Sequence, residues 1–335
     1  MKRNVLLALN KEMHTKVFCE NDLARIHDLC HVLPNGLPVT ADKNYILEHI
    51  DKADIVITSW GTAALDEEII SNADKLEFVA HAGGTVRPIV SDALWEKGIV
   101  VSSAAAAIAF GVSEFCLGLM LTMSKRVFWG ALGTRAGKWR EGLEVFGGPF
   151  EVYGQKVGIL GAGHVGRQLI RLLKNFECDI LLYDPYCSPE DVWEMGVTKV
   201  EELDDIFEQC KIVSINLPVT EETKNMIRSR HFESLPDGAL LINTARSAVV
   251  NTTELVAELK KERFIACLDV TDTEPPALDD PLRSLPNVIL TPHEAGAIAQ
   301  NAKRIGNLVT NQIEAFISGK KPKFEITKSD LCTIA

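Results

Sequence analysis

Short apolar runs alternate with segments in which apolar residues recur at helical spacing, over most of the 335 residues. This alternation is typical of parallel sheets covered by helices, and the runs fall into two groups, which predicts two sheets. The strands predicted for the first sheet are Val5 to Leu9, Ile55 to Thr58, Phe78 to Ala80 and Ile99 to Val101. Those predicted for the second are Val157 to Leu160, Ile180 to Tyr183, Ile212 to Asn216, Ala239 to Asn243, Ala266 to Val270 and Val288 to Leu290.

Helical patterns such as Asp22 to Cys30 and Asp92 to Lys97 separate the first strands. The stretch Ala104 to Leu132 is rich in small and apolar residues and has no strand punctuation, which predicts one long helix crossing from the first domain to the second. The last helix, Ala297 to Ser318, is expected to return to the first domain. The predicted domains are therefore 1–104 with 298–335, and an inserted domain, 105–297.

A glycine motif, Gly161-Ala-Gly-His-Val-Gly166, follows the first strand of the second group and precedes a helical pattern from Arg167 to Phe176. Its first glycine allows a tight turn, its second lets the backbone approach a pyrophosphate, and its third, Gly166, lets the helix lie close to the strand. The order of strand, turn and helix therefore predicts a dinucleotide site. Its diphosphate would bind backbone N–H groups at His164 and Val165.

Asp184 ends the run Ile180 to Tyr183, near the spacing of ~20 residues expected after such glycines. A carboxylate at this place can accept hydrogen bonds from both ribose hydroxyls of an adenosine and repels a 2′-phosphate. The segment 185–197 contains neither Arg nor Lys. Together these features predict NAD rather than NADP as the cofactor.

Three further residues, Arg246, Glu274 and His293, carry candidate chemistry. Arg246 follows the strand Ala239 to Asn243, at the edge where open parallel sheets bind ligands. A guanidinium can bind a carboxylate together with a neighbouring oxygen, and a histidine can move a proton. Glu274 would stabilise the charged imidazole of His293 and fix which nitrogen faces a substrate.

These parts suit the oxidation of a 2-hydroxy acid or the reduction of a 2-keto acid. Two of these residues, Arg246 and Glu274, have a structural alternative. Arg246 would otherwise form a surface salt bridge, and Glu274 would otherwise be a structural cap beside Pro275 and Pro276.

Composition limits the classes of partner. The chain has 35 basic and 46 acidic residues, a net charge of −11, which argues against nucleic acid or an anionic membrane surface as partners. The apolar stretch at the start is too short for a secretory signal and is interpreted as the first strand. We expect no apolar run that approaches the ~20 residues needed to cross a bilayer.

The eight cysteines are scattered, without a Cys-x-x-Cys pair, which predicts reduced thiols in a cytoplasmic protein. The segment His27-Asp-Leu-Cys30-His31 would place two histidines on one helix face with a cysteine between them, which is possible metal-ligand geometry. A second ligand group is not identifiable near it in the sequence. We therefore interpret that helix as structural and predict no metal site.

With its motifs placed, the chain resembles the D-2-hydroxyacid dehydrogenase family over almost its whole length. The matching segments share their order along the chain: Gly161 to Gly166, Tyr183-Asp-Pro185, Asn216-Leu-Pro218 with Thr220 to Ile227, Asn243-Thr-Ala-Arg246, Leu268-Asp-Val270, Glu274-Pro275 and Thr291-Pro-His293. The resemblance implies a Rossmann NAD-binding domain inserted in a flavodoxin-like substrate domain, both of them doubly wound parallel α/β folds. It also implies the D configuration of the hydroxy acid.

The resemblance implies further site residues. The cofactor contacts it adds are Pro218, Thr223, Thr244, Ala245, Asp269, which receives the nicotinamide carboxamide, and Gly296. The loop Ala82-Gly-Gly-Thr85 would bind the substrate carboxylate through backbone N–H groups at Gly83 and Gly84, although a plain turn is the alternative. Val112-Ser-Glu114 would open the crossing helix. Arg135-Ala-Gly-Lys-Trp139 would belong to an arm that embraces a partner subunit, which implies a homodimer.

Four positions depart from the family pattern: Ser247, Asn216, Ile108 and Arg87. Arg87 stands where an acidic residue is usual, and either favours a second anionic group on the substrate or is a surface residue. Glyoxylate, hydroxypyruvate, pyruvate and bulkier 2-keto acids all fit the motifs.

Two other functions use the same fold. One is an NAD(H)-sensing, corepressor-like scaffold, against which the intact Arg246, Glu274 and His293 argue. The other is a formate-type dehydrogenase, in which the partner of the histidine is expected to be a glutamine; here it is Glu274.

Overall fold

A computed structural model of the protein describes residues 2–34 and 40–334. The chain forms two units, unit 1 (Met1–Ile108 with Ala297–Ala335) and unit 2 (Ala109–Gly296). The strands are β1 Arg3–Ala8, β2 Cys30–Leu33, β3 Ile55–Ser59, β4 Phe78–Ala82, β5 Val100–Ser103, β6 Lys156–Leu160, β7 Asp179–Tyr183, β8 Thr198–Lys199, β9 Ile212–Ile215, β10 Leu240–Asn243, β11 Ile265–Leu268, β12 Val288–Leu290 and β13 Glu325–Ile326. The α-helices are α1 Lys11–Val17, α2 Glu20–Leu29, α3 Lys43–His49, α4 Glu67–Ser71, α5 Asp92–Glu96, α6 Ala105–Ser124, α7 Val127–Arg135, α8 His164–Leu173, α9 Pro189–Met195, α10 Leu203–Gln209, α11 Ser229–Ser234, α12 Thr252–Leu259 and α13 Ala299–Ile317.

The sheet of unit 1 has the strand order β13-β5-β4-β3-β1-β2. Its first five strands along the chain are parallel and β13 runs antiparallel to β5. The parallel order 2-1-3-4-5 is that of flavodoxin-like folds. Successive residues of β1 pack into different cores, Val5 and Leu7 into one and Leu6 and Ala8 into another, so both faces of this sheet are covered.

The sheet of unit 2 has the order β12-β11-β10-β9-β6-β7-β8, with every pairing parallel. Numbered within the unit, this is 3-2-1-4-5-6 with one further strand, the dinucleotide-binding order. The order reverses between β6 and β9, so a crevice is expected at the carboxyl ends of these two strands. The predicted fold class, two doubly wound parallel domains of Rossmann and flavodoxin-like type, is confirmed.

The strand β2 replaces the end of a predicted helix. The helix α2 stops at Leu29, and Cys30 and His31 pair in parallel with Arg3 and Asn4 of β1. The interpretation of His27 and His31 as neighbours on one helix face is therefore wrong. Sheet pairing, which joins residues distant in sequence, overrides the local helical pattern here.

The single long helix predicted from Ala104 to Leu132 is also wrong, because two helices, α6 and α7, cover this stretch. They are separated at Arg126, whose φ of 55° lies in the left-handed region. The Arg126 side chain is fully buried and donates to the carbonyl oxygens of Met123, Phe146 and Gly238. These bonds, of which those to Phe146 and Gly238 join residues distant in sequence, compensate for the broken helix. The segment Val112 to Glu114 lies within α6 and does not open it.

The expectation that no apolar run approaches the length needed to cross a bilayer is contradicted by the helix α6. Its 20 residues are, by length and composition alone, sufficient to cross a bilayer. The part of α6 in unit 2 buries one stripe at helical spacing, formed by Ala109, Val112, Cys116, Met120 and Met123. A single helix of this kind is weak evidence for a membrane span, because core helices of soluble proteins meet the same criterion.

Candidate active site

The three predicted catalytic residues follow three neighbouring strands of unit 2. The strands β10, β11 and β12 are adjacent in the sheet, and Arg246, Glu274 and His293 come after them in that order. Because the carboxyl ends of parallel strands meet at the same edge, the topology brings these segments to one place.

His293 and Glu274 are in direct contact. The His293 Nδ1 atom lies 2.7 Å from Glu274 Oε2, and Glu274 Oε1 accepts a hydrogen bond from the backbone N–H of Thr271 at 3.3 Å. A carboxylate only accepts hydrogen bonds, so Nδ1 carries the hydrogen and Nε2 is the nitrogen left for a substrate. The two side chains are 50% and 42% exposed, so both are accessible.

Arg246 lies in a short turn braced by Asn243. The Asn243 amide accepts from the backbone N–H of Ala245 at 3.0 Å and donates to the carbonyl oxygen of Arg246 at 3.0 Å. The guanidinium donates to the carbonyl oxygen of Ala245 at 2.7 Å. Burial lowers the pKa of Arg246, and the nearby Glu274 carboxylate opposes this shift. An arginine remains charged under these conditions and its fork of donors suits a carboxylate ligand.

The turn 291–295 carries His293 in an unusual backbone conformation. Its φ is 53°, in the left-handed region, and its N–H donates to the carbonyl oxygen of Thr291 at 3.0 Å. For a residue with a side chain this conformation costs about 1 kcal/mol and persists only where the surroundings enforce it. The buried carboxylate of Asp269 accepts hydrogen bonds from this turn.

The glycine motif forms the predicted strand, turn and helix. Gly161 has a φ of 93°, and Gly163 is the N-cap of α8. The helix begins at His164, three residues before the predicted start, which places His164 and Val165 in its first turn. A Cβ atom added to Gly166 would lie 2.0 Å from the carbonyl oxygen of Gly161, so only glycine fits there. The exposed N–H groups at such a helix start bind phosphate, so these residues fit a dinucleotide.

Asp184 is fixed beside this turn. Its carboxylate accepts hydrogen bonds from the backbone N–H groups of Ala162 at 2.7 Å and Tyr186 at 2.9 Å. Sequence reasoning missed a nearby cation, Arg167, which precedes Asp184 and whose partner is distant in sequence. The Arg167 guanidinium donates to the carbonyl oxygen of Ala162 at 2.8 Å and binds Asp191 through two bonds of 3.0 and 2.8 Å. The carboxylate of Asp191 thus neutralises the positive charge of Arg167, which would otherwise be available to bind a 2′-phosphate.

The other predicted cofactor residues lie in loops after β9, β10, β11 and β12. The Thr223 hydroxyl donates to the carbonyl oxygen of Pro218 at 2.6 Å, which closes the loop after β9. The Thr244 hydroxyl lies 3.2 Å from the sulfur of buried Cys116. Ala245 is held by Asn243 as described above. Gly296 ends unit 2, directly after the turn 291–295.

The predicted anion loop of unit 1, Gly83 and Gly84, follows β4. The His81 side chain lies against Gly83: a Cβ atom added to Gly83 would lie 2.4 Å from His81 Nε2, whereas one added to Gly84 would meet Ile108 only at an ordinary 3.5 Å. The His81 ring is itself held, with Nδ1 2.9 Å from the Thr58 hydroxyl. Glycine is therefore required at position 83 by contact, and not at position 84.

Arg87, the departure near this loop, has a structural partner. Its guanidinium donates to the carbonyl oxygens of Leu331 and Ile334, at 3.0 Å for the second. Arg87 therefore binds the C-terminal segment of unit 1. This contact favours the interpretation of Arg87 as a surface residue over a second anion-binding role.

We expect His81 to make the protein less stable in acid. The side chain is 3% exposed, and burial lowers its pKa from 6.5 to about 4. Between pH 6.5 and pH 4 the unfolded chain binds a proton that the folded protein does not. The free energy of unfolding therefore decreases as the pH is lowered through this range, by about 3 kcal/mol in total. Urea unfolding at pH 7, 5.5 and 4.5 measures this loss.

The His81→Gln variant has no proton to bind at this position and should lose less stability over the same pH range. His31→Gln, at an exposed histidine of β2, is the control and should follow the native protein. Equal acid sensitivity of native protein and His81→Gln would contradict the assignment.

Residues 117–295 match a family model described as D-isomer specific 2-hydroxyacid dehydrogenase, NAD binding domain. The matched range covers most of unit 2, including the glycine motif, Asp184, Arg246, Glu274 and His293. The predicted cofactor, NAD, is confirmed by this match.

Two relatives with different names are similar to this chain over most of its length. The chain is 33% identical over 286 residues to a glyoxylate reductase of Korarchaeum cryptofilum, covering 84% of each chain. It is 32% identical over 279 residues to a D-3-phosphoglycerate dehydrogenase of Methanocaldococcus jannaschii, covering 83% of this chain and 52% of the relative. The chain thus spans about half the length of the phosphoglycerate dehydrogenases it matches.

A solved structure with the same fold is the apo form of D-mandelate dehydrogenase from Rhodotorula graminis. Its TM-score is 0.83 at 21% sequence identity, and the alignment covers 98% of each chain.

Proposed function

Because the chain belongs to the D-isomer specific 2-hydroxyacid dehydrogenase family, we propose that it transfers a hydride between C2 of a small 2-hydroxy or 2-keto acid and the nicotinamide of NAD. The hydroxy acid has the D configuration. The observation that carries this proposal is the 2.7 Å contact of His293 with Glu274, on the same sheet edge as Arg246. A proton-transfer group, its carboxylate partner and an anion-binding group are what the reaction requires.

Arg246 binds the substrate in this proposal. Its guanidinium holds the carboxylate and the C2 oxygen together, which orients C2 and stabilises the charge that develops on the oxygen. Burial strengthens this interaction, because the same burial that lowers the pKa of Arg246 also reduces screening by water. For unit 1, the binding of a substrate carboxylate by the backbone N–H groups of Gly83 and Gly84 remains a prediction from the family resemblance.

His293 moves the proton. In reduction, the imidazolium gives its Nε2 proton to the C2 oxygen as C2 receives the hydride; in oxidation, neutral Nε2 takes the hydroxyl proton. Glu274 stabilises the charged imidazole through Nδ1 and keeps Nε2 directed to the substrate. Glu274 and His293 are thus the acid-base pair of the reaction, and Arg246 is the electrophilic group.

NAD(H) supplies or accepts the hydride when bound. The residues proposed to hold it are those of unit 2 that follow the strand ends. His164 and Val165 bind the diphosphate through backbone N–H groups, and Asp184 accepts hydrogen bonds from the ribose. The remaining contacts are Gly161, Gly163, Gly166, Pro218, Thr223, Thr244, Ala245, Asp269 and Gly296. Unit 2 is accordingly the NAD-binding domain and unit 1 the substrate domain.

The experiment that tests the function follows the oxidation of NADH by absorbance with glyoxylate, hydroxypyruvate, pyruvate, phosphohydroxypyruvate and a bulkier aromatic 2-keto acid. The best substrate is repeated with NADPH. Turnover that prefers NADH establishes the reaction, and the relative rates identify the substrate. Binding of NADH without turnover of any keto acid would contradict the proposal and favour the NAD(H)-sensing scaffold.

We further propose that two copies of the chain associate through the surface of α6 and α7. Several apolar side chains of these helices and of the following segment are exposed: Phe110, Leu121, Val127, Phe128, Leu132 and, at 72%, Trp139. Several large apolar side chains exposed on consecutive helices are typical of an interface. A second copy of this chain covers it in the family-like dimer that the arm around Trp139 predicts.

Sedimentation and light scattering are expected to give twice the mass of one chain. Replacing both Phe128 and Leu132 by Glu should give the single-chain mass, because two charges would be buried at the interface. Leu278→Glu, at a side chain 93% exposed and outside these helices, is the control and should leave the dimer intact. A native protein with the mass of one chain would contradict the proposal.

A cytoplasmic location remains a prediction. The eight cysteines are all free thiols, five of them buried, which is compatible with a reducing compartment. That nucleic acid and membranes are not partners remains a prediction from the net charge of −11.

A further inference from the structure

The turn that carries His293 is held by one buried carboxylate, that of Asp269, which is 2% exposed. The Oδ1 atom accepts hydrogen bonds from the Thr291 hydroxyl at 2.6 Å and from the backbone N–H of Glu294 at 3.0 Å. The Oδ2 atom accepts from the backbone N–H of Ala295 at 2.9 Å. These donors lie on both sides of His293, so a single side chain fixes both ends of the turn.

Asp269 is in turn fixed to the sheet. It directly follows β11, and its backbone N–H donates to the carbonyl oxygen of Asn243 at 3.0 Å. The backbone N–H of Thr291 donates to the carbonyl oxygen of Leu268 at 3.0 Å. The Asp269 carboxylate is therefore held rigidly by the sheet, and the turn 291–295 is positioned relative to the sheet through this carboxylate.

His293 depends on this support more than an ordinary residue does. The φ of 53° at His293 is disfavoured for any residue other than glycine. Half of the His293 side chain is exposed, so packing contributes little to the position of the ring. The contact with Glu274 directs the ring, but the place of the ring is set by the backbone of the turn. Small displacements of a proton-transfer group reduce the rate strongly.

We propose that Asp269 is a positioning residue for His293, which it holds through Thr291, Glu294 and Ala295. The inference rests on the proposed function of His293 as the acid-base group. It adds to the carboxamide contact implied for Asp269, because a carboxylate has about four acceptor sites and the turn takes three of them. A cofactor contact alone would not require the three bonds to the turn.

Four variants distinguish a positioning role of Asp269 from a cofactor contact alone. Asp269→Asn replaces one acceptor oxygen by an NH₂ group that faces the donors of the turn. Thr291→Val removes one donor at nearly constant volume, and Thr291→Ser restores the hydroxyl. Asp272→Asn, at an exposed carboxylate close in sequence, is the matched control. Because Asp269→Asn alters a buried group, the Thr291 pair keeps the test available if that variant does not fold.

The first readout is amide hydrogen exchange of peptides that cover residues 289–297, compared with peptides from β9 and α8. Asp269→Asn should raise the exchange rate within the turn by about tenfold or more, with the comparison peptides unchanged. Thr291→Val should raise it by about fivefold, as expected for the typical net contribution of one hydrogen bond. Thr291→Ser and Asp272→Asn should match the native protein.

The second readout is steady-state kinetics with the best keto acid and a direct NADH titration by fluorescence. Thr291→Val should lower kcat by about fivefold and Asp269→Asn by about tenfold to a hundredfold, with the KM of NADH changed less than about twofold for Thr291→Val. Thr291→Ser should recover kcat. A general structural effect would not produce this separation of kcat from cofactor affinity.

Unchanged exchange and unchanged kcat in Thr291→Val, together with weakened NADH binding alone in Asp269→Asn, would overturn the proposal and leave Asp269 a cofactor contact. Exchange that rises equally in the β9 and α8 peptides of Thr291→Val would overturn it too. If the native protein turns over no keto acid, the exchange readout still decides whether Asp269 holds the turn, and only the proposed function fails.

Discussion

Replacing His293 by alanine is expected to lower kcat for keto-acid reduction by about 10²–10⁴-fold. In the proposed function the imidazole gives a proton from Nε2 to the C2 oxygen, and its Glu274 partner lies 2.7 Å from the other ring nitrogen, Nδ1. Removal of the ring leaves Glu274 without its partner and the substrate without a proton donor. Binding of NADH, measured by fluorescence, should change little, because the glycine motif and Asp184 are untouched.

Two further variants, one at Glu274 and one control, are needed to interpret this result. Glu274→Gln keeps a hydrogen-bond acceptor for Nδ1 but removes the charge, so we expect a smaller loss of kcat, about tenfold. His31→Ala, at an exposed histidine of unit 1, should be as active as the native protein. Activity of His293→Ala within about threefold of the native value would remove His293 from the mechanism.

The second large effect concerns stability and does not depend on the function. Arg126→Ala is expected to lower the free energy of unfolding by about 4 kcal/mol. The fully buried guanidinium donates to the carbonyl oxygens of Met123, Phe146 and Gly238. Alanine removes all three of these bonds, although Met123 keeps its bond from the backbone N–H of residue 126. Burial lowers the pKa of Arg126 to about 10, so the group is still charged at neutral pH.

Urea unfolding followed by circular dichroism measures this loss, and Arg126→Gly divides it into two parts. Glycine adopts the φ of 55° without strain, so it should be less destabilising than alanine by about 1 kcal/mol, although it loses the same hydrogen bonds. Arg171→Ala, at an exposed arginine near the end of α8, should change stability by less than about 0.5 kcal/mol. An effect of Arg126→Ala no larger than that of Arg171→Ala would contradict the argument.

The family resemblance drawn from the order of the motifs is confirmed, since the family model matches 117–295 and two relatives are 32% and 33% identical over most of the chain. The roles of Arg246, Glu274 and His293 stay predictions. What the sequence could indicate was that each follows a different predicted strand, and parallel strands bring such residues to one edge. The 2.7 Å contact of His293 with Glu274 depends on the backbone of two loops, which no local pattern describes.

Supporting residues were harder to predict than the site residues themselves. Arg167 was overlooked although it follows the glycine motif directly, because its meaning depends on Asp191, 24 residues away along the chain. Thr291 belonged to a recognised motif, yet its bond to Asp269 spans 22 residues. His81 gave no signal at all, because a buried histidine and an exposed one look alike in a sequence.

By itself, the sequence determined the features that depend on local order. Alternating strand and helix patterns specified the two doubly wound sheets, the glycine spacing specified the turn that only Gly166 can close, and the ordered motifs specified the family. Only the tertiary structure decided the break at Arg126, the strand β2 in place of a helix end, and the bonds of Asp269 to the turn of His293. The physical reason is the same in each case. These features are stabilised by hydrogen bonds between residues distant in sequence, which outweigh local propensity once the chain has folded.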